Sequence, residues 1–310
     1  MVIAGGSGFL GRNLAAHFAP HYDVVVLTRG TAAGPHARAV QWDAQSTGPW
    51  TRELDGAAVL INLTGRSVNC RYNATNKEAM MTSRITSTRL LGEAVANCDA
   101  PPPVWINSST ATIYKHTLGA PHAEDGEIGA TPSVKDAFAV EIAQRWEAAF
   151  FEASCPGVRQ VVQRTAIVMA NEQGTAFDVL GGLARKGLGG AQAGGNQFVS
   201  WVHIDDYCRI TEWLVANDDA HGVYNVCAPN PQTNAGMMKT LRSMVGLKIG
   251  LPAPRWLLEI GAFFMRTETE LIIKSRNVVP TRLLTEGFRF KFTEFRTAVN
   301  DLCKRPSVLA

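Results

Sequence analysis

A strand that passes into a helix through three evenly spaced glycines leaves a chain few ways to fold, and this chain does so within its first residues. Val2-Ile3-Ala4 is apolar, Gly5, Gly8 and Gly11 follow, and Leu14 lies in a helical pattern. Each glycine has a separate task in such a turn: Gly5 permits the tight bend, Gly8 lets a pyrophosphate approach the backbone, and Gly11 lets the helix pack on the strand. Unpaired N–H groups at the helix start then face the phosphates. An ordinary glycine turn is the alternative reading, and the strand before and helix after argue against it. The spacing has one more residue between the first two glycines than the commoner G-x-G-x-x-G fingerprint.

At 310 residues the chain is long enough for one large α/β domain with a smaller appendage. Its formal net charge of +3 is small, and no Lys/Arg run is interleaved with aromatics, which argues against a nucleic-acid surface. Cys70, Cys98, Cys155, Cys208, Cys227 and Cys303 show no C-x-x-C and no partnered Cys/His spacing. Neither a zinc site nor a disulfide framework is indicated, and reduced thiols are expected. The first residues already read as strand and phosphate loop, and no apolar run approaches membrane-spanning length. A cytoplasmic protein without a membrane partner is the expectation.

Asp23-Val24-Val25-Val26-Leu27 reads as a strand buried on both faces and ends in Thr28-Arg29. An acidic residue about twenty positions past the glycine loop holds a ribose 2′-hydroxyl in NAD-binding versions of this fold, whereas an arginine suits a 2′-phosphate. Arg29 therefore argues for NADP(H), a solvated loop arginine being the alternative. Arg12 adds charge to the phosphate site or is an exposed first-turn side chain, and Asp43, after Ala39–Trp42, lies near an adenine edge or in an exposed turn. A fourth strand over 57–63 breaks at Thr64-Gly65, where small residues let the backbone approach the nicotinamide side of a dinucleotide. The helix over 74–97 carries Met81, Ile85, Thr88, Leu91 and Val95 at core spacing, with Lys77 and Arg84 sharing one face, directed to the cofactor phosphates or to water. Pro101-Pro102-Pro103 leads into Val104–Asn107, which delivers Ser108-Ser109-Thr110 at a strand's carboxyl end, where ligands of open α/β sheets bind.

A helix over 134–152 has its packing stripe at Phe138, Ile142, Trp146 and Phe150, and a strand from Arg159 continues through Val168. The alternation predicts right-handed crossovers and a doubly wound parallel sheet, the Rossmann arrangement, with a smaller, mainly helical substrate-side domain at the C-terminus. Residues 1–168 form the dinucleotide-binding domain, to which 198–226 return. Residues 169–197 and 227–310 form the smaller one. From Gly174 to Gln197 the glycines suit a mobile loop across a cleft, or plain surface filler. His203 beside Asp205-Asp206 resembles a catalytic pair, but strand neighbours face opposite ways, and a structural histidine with an aspartate helix cap is the preferred reading.

These motifs together resemble an atypical extended short-chain dehydrogenase/reductase family, the NAD(P)-dependent epimerase-like proteins that carry a small C-terminal domain of unassigned function. The likeness runs through the glycine loop with Thr28-Arg29, Asn62–Gly65, Arg71-Tyr72 with Lys77, Ser83-Arg84, Trp146-Glu147, Gly187–Gly190 and Ser200–Asp206. It continues through Tyr224-Asn225, Ser275-Arg276 with Val279-Pro280, and Gly287–Phe290. The resemblance implies cofactor contacts at Gly5, Gly8, Phe9, Leu10, Gly11, Thr28, Arg29, Leu63, Thr64, Arg84 and Ser108, a small-molecule substrate, and a possible homodimer. Tyr72 stands where the family usually has tryptophan and Thr64 where it usually has alanine.

Working superfamily members use a tyrosine hydroxyl as acid or base and a lysine one helical turn on that lowers its pKa. Here Tyr114 is followed by Leu118, and the other location, on the helix over 134–152, holds Phe138 and Ile142, which cannot exchange protons. The family itself commonly lacks the pair. Three functions remain open: an NADP(H)-dependent oxidoreductase or epimerase with an acid/base set drawn from Ser109, Thr110, Tyr114, Lys115 and His116; a non-catalytic NADP(H)-binding redox sensor; or a scaffold. Ser109 and Tyr114 are the catalytic candidates.

Overall fold

The computed structural model describes residues 1–264 and 268–305. The first half alternates strand and helix: β1 (Val2–Ala4), α1 (Phe9–Phe18), β2 (Val25–Thr28), β3 (Arg38–Gln41), β4 (Leu60–Asn62), α2 (Ala74–Ala96), β5 (Val104–Thr110), α3 (Ala137–Phe151) and β6 (Arg159–Thr165). There follow β7 (Ile167–Met169), α4 (Ala176–Arg185), β8 (Phe198–Val199), β9 (Trp201–His203), α5 (Ile204–Ala216) and β10 (Gly222–Val226). The last part comprises β11 (Gln232–Thr233), α6 (Asn234–Met244), α7 (Arg255–Phe264), α8 (Glu270–Ile273), α9 (Thr281–Thr285) and α10 (Phe295–Lys304).

Among the described residues seven strands form one parallel sheet in the order β10-β6-β5-β4-β1-β2-β3. The order reverses at β1, which lies between β4 and β2, so the crevice at the carboxyl ends of β1 and β4 is the ligand position of a doubly wound fold. The strands β1, β2, β4 and β5 are buried on both faces because their alternate residues feed two cores. Ile3, Val26, Ile61 and Ile106 pack with Leu14, Phe18, Tyr207 and Leu214 of α1 and α5, whereas Val2, Leu27, Leu60 and Trp105 pack with Leu91, Val95 and Phe150 of α2 and α3. No described helix is long and apolar enough to cross a membrane.

Four local expectations are corrected. The strand expected from Arg159 through Val168 breaks at Ala166, whose N–H bonds Val226 O; β7 leaves the main sheet and pairs with β9. The glycine-rich segment contains α4, capped by Thr175, and its later glycines press on the C-terminal part: a Cβ on Gly190 would lie 2.4 Å from the Leu251 carbonyl carbon. On α2, Met81 and Ile85 are half-exposed along a groove facing α3, and the buried line starts instead from Met80 and Ser87. The cap of α5 is His203 itself, whose Nδ1 accepts from the Asp205 N–H at 3.0 Å.

Candidate active site

The glycine loop ends at the N-terminus of α1, where Gly8 is the cap residue, no side chain caps the helix, and no acidic residue stands in the first turn. That end keeps its orphan N–H groups and positive dipole for an anion. Gly5 sits at φ +73°, and a Cβ there would come within 3.0 Å of the Thr64 Cα. A Cβ on Gly11 would meet the Gly6 Cα at 2.3 Å, whereas one on Gly8 would enter open space. The loop is closed below and open above, the cradle a pyrophosphate requires. Phe9 and Leu10 follow it, half-buried against the core.

Thr28, buried at the end of β2, donates its hydroxyl to Ser7 Oγ at 3.2 Å and accepts from the Gly30 N–H, tying the loop to the strand. Arg29 beside it is exposed and has no ion-pair or hydrogen-bond partner among the described residues. Arg12, by contrast, is paired with Glu172 at 3.1 Å. Asp43 closes its own turn: the Ser46 hydroxyl and the backbone N–H groups of Gln45 and Ser46 hold its carboxyl down to about 2.

Across the crevice, Leu63 donates its N–H to Ala4 O, and the buried Thr64 hydroxyl bonds Asn62 Oδ1 at 2.5 Å and Ser87 Oγ at 2.6 Å. Asn62 in turn donates to Thr88 Oγ1 and Asn107 Oδ1, which locks β4 to β5 and α2. Arg84 braces the same wall, donating to Met80 O and Arg66 O at 3.0 Å with its guanidinium 5.1 Å from the Trp146 ring. Burial lowers its pKa to about 10.

Ser108 and Ser109 point to opposite faces of β5, as strand neighbours must. Ser109 donates to Glu147 Oε1 at 2.6 Å, and Glu147 holds Arg164 at 2.9 and 2.8 Å. Arg164 donates to the Tyr114 hydroxyl at 2.8 Å, and that hydroxyl donates to Asn225 Oδ1 at 2.8 Å. The Tyr114 side chain is buried, with its ring stacked on His122; burial pushes its pKa up to about 12 against the pull of Arg164. Both hydroxyls are thus committed to neighbours in one buried network joining β5, β6, α3 and β10. Lys115 pairs with Glu127, and His116 Nδ1 accepts from the Ser275 N–H, so neither converges on Tyr114.

A second polar cluster lies where β4 and β5 open. The Tyr72 ring rests edge-to-face on Phe138 at 5.2 Å, and Lys77 Nζ stands 5.0 Å from the Phe138 centroid. Lys274, fully buried, joins Asp136 Oδ2 and Thr112 O, each at 2.6 Å. Arg276 donates to Thr112 Oγ1 at 2.8 Å, and Glu270 accepts from the Tyr72 hydroxyl at 3.3 Å. The sequence reading did not assign Glu147, Arg164, Glu270 or Lys274 to the site. The Trp146-Glu147 and Ser275-Arg276 motifs were the available pointers, but nothing in their spacing tells which partners they meet. His203, Asp205 and Asp301 also lie together, yet Arg305 bonds both carboxylates at 2.6 Å and the histidine serves as a helix cap.

Residues 1–227 match the NAD dependent epimerase/dehydratase family, and residues 253–302 match a domain of unknown function, DUF1731. Epimerase family protein SDR39U1 of Homo sapiens is 29% identical over 308 residues, spanning 97% of this chain and 99% of the relative. Epimerase family protein YfhF of Bacillus subtilis (strain 168) is 27% identical over 306 residues, 97% of either chain. The crystal structure of human SDR39U1 (isoform 2) with NADPH superposes with a TM-score of 0.84 at 26% identity, covering 98% of this chain and 99% of that one.

Proposed function

This chain belongs to the NAD dependent epimerase/dehydratase family, and from that premise we propose that it is an NADP(H)-dependent oxidoreductase or epimerase-like enzyme acting on a small molecule without the usual Tyr-x-x-x-Lys pair. In this reading Gly5, Gly8, Phe9, Leu10 and Gly11 hold the pyrophosphate, and Thr28 and Arg29 take the 2′-phosphate. Leu63, Thr64, Arg84 and Ser108 shape the ribose and nicotinamide end. The bound cofactor supplies or accepts a hydride. Ser109 and Tyr114 act through the Glu147–Arg164 pair, fixing the floor on which substrate and cofactor lie.

The observation that carries the reading is the unpartnered guanidinium of Arg29 beside the uncapped start of α1. The NADPH in the human SDR39U1 structure supports it. Calorimetry with NADPH and NADH tests it. Each charge-assisted contact to a 2′-phosphate contributes about 1.5–3 kcal/mol, so Arg29→Ala is expected to lower the NADPH preference roughly tenfold or more. An unchanged affinity ratio would remove Arg29 from the site. A non-catalytic NADP(H) sensor is the second reading, favoured by the closure of both the Ser109 and Tyr114 hydroxyls inside the protein. It requires tight NADPH binding with no oxidation of bound NADPH by any carbonyl compound offered.

A further inference from the structure

We propose that Glu270, a residue of the C-terminal region, is the group that exchanges a proton with the substrate oxygen, and that Tyr72 positions its carboxyl. The inference rests on the binding of NADP(H) in the crevice. It begins with an oxygen that has no donor. Glu270 is 3% exposed; its Oε1 accepts from the Tyr72 hydroxyl, and its Oε2 is buried without a hydrogen-bond partner. Nearly all buried polar atoms are paired, so an orphan of this kind points to a ligand group that completes it.

The surrounding cations do not complete it. Arg276 Nη2 is 3.9 Å from Oε2, and the rest of that guanidinium is engaged by Thr112 Oγ1 and Leu271 O. Lys274 Nζ is committed to Asp136 and Thr112 O. Asp136 Oδ2 is likewise without a hydrogen bond but meets the Lys274 ammonium at 2.6 Å, whereas Glu270 Oε2 has no cation nearer than the 3.9 Å of Arg276, which leaves Glu270 the less satisfied carboxyl of the cluster. Burial raises its pKa, Arg276, Lys274 and the Tyr72 hydroxyl oppose the rise, and Asp136 adds to it.

Its place in the fold fits the role. Tyr72 follows the carboxyl end of β4, Thr112 follows β5, and Asp136 precedes α3, so the cluster sits over the strand ends where ligands of this fold lie. The Tyr72 ring meets Phe138 edge-to-face, and Phe138 stands at a position where working extended members carry the tyrosine. The proton-transfer group absent from α3 is thereby restored by Glu270 of the domain of unassigned function, joined to Phe138 through Tyr72, which touches both. The substrate class is a small molecule bearing a ketone, aldehyde or alcohol. In the reducing direction the substrate oxygen takes the Glu270 proton as its carbon accepts the hydride that NADPH supplies. An alcohol and a carboxylate result, and water reprotonates the carboxylate.

The test needs no substrate. The nicotinamide ring of NADP+ is positive and that of NADPH neutral, while their phosphates are the same, so phosphate titration cancels in the ratio of the two affinities. A carboxylate forming beside the ring favours NADP+ selectively. Calorimetry on the full chain between pH 5 and 8 is expected to show the NADP+/NADPH affinity ratio rising about tenfold as Glu270 deprotonates. Glu270→Gln is expected to bind both cofactors with that rise abolished. Tyr72→Phe, which keeps the carboxyl and removes its donor, is expected to move the rise to higher pH. His116, which faces Asp136 and Lys274 in the same cluster, is untouched in both variants. A flat ratio in the unaltered chain, or a rise that survives Glu270→Gln, overturns the proposal. Failure of the unaltered chain to bind either cofactor overturns the NADP(H) reading itself, and this proposal with it.

Discussion

Gly8 and Gly11 belong to one motif and answer to opposite demands, which makes them separable by experiment. Gly8 has an extended backbone at the head of α1, and a methyl group there would meet nothing in the protein. Gly8→Ala is therefore expected to lower unfolding stability by only about 0.5–1 kcal/mol, the scale of a weakened helix cap. It should nevertheless displace the pyrophosphate and reduce NADPH affinity by a large factor. Gly11→Ala places its methyl 2.3 Å from the Gly6 Cα and must push strand and helix apart, losing at least about 1–3 kcal/mol. Urea unfolding and calorimetry on the two variants distinguish these outcomes; unchanged NADPH affinity in Gly8→Ala would remove Gly8 from the cradle. Tyr114 is read in the same way. Tyr114→Phe leaves Arg164 and Asn225 each short of a partner in a buried network, so a loss of about 1–3 kcal/mol with NADPH affinity intact is expected. A variant of full stability with no turnover would instead make Tyr114 the acid.

At the scale of elements, the start of α5 shows how a histidine beside two aspartates is used for structure. The Nδ1 of His203 accepts the Asp205 N–H, so the ring must be neutral to cap the helix. Burial lowers its pKa from 6.5 to about 4, with Arg305 adding to the shift and Asp205 and Asp301 opposing it. The unfolded chain therefore binds a proton that the folded chain refuses, and stability is lost as pH falls from about 6.5 to 4. The loss is about 3 kcal/mol. Urea unfolding at pH 7 and pH 4.5 is expected to show most of this loss in the unaltered chain, and His203→Asn, which keeps a capping side chain, should lack it. The same element shows what was legible in the sequence. The strand-to-helix passage at 203–204 and the glycine loop of α1 rest on local spacing, and both were readable. Which atom capped α5 was not, because Asp205 is drawn away by Arg305 and Lys291 from distant parts of the chain. The break after β6 and the orphan on Glu270 are likewise consequences of partners far apart in sequence, which residue spacing does not encode.

At the scale of the molecule, the C-terminal region is held to the nucleotide fold by buried charge rather than by a linker. The main-chain N–H groups of Lys291 and Phe292 bond the buried Asp206 carboxylate of α5, and Arg276 N–H and C=O groups pair with Phe198 and Ser200. Lys274 inserts its ammonium between Asp136 and Thr112 where neither side chain of the ion pair meets water. Removing one member of such a pair costs more than the pair contributes, because the other is left charged and dry. Lys274→Met keeps the length and apolar stem of the side chain and strands Asp136, so a loss of about 3–5 kcal/mol is expected in urea unfolding. If the two regions form one cooperative unit, as these contacts require, the variant should still unfold in a single transition, at the same midpoint by near- and far-ultraviolet circular dichroism. Two separated transitions would mean that the C-terminal region folds as an attachment. The Glu270 carboxyl would then stand on a part able to move independently of the crevice it is proposed to serve, and proton transfer from it would need a closing step that a single cooperative unit does not.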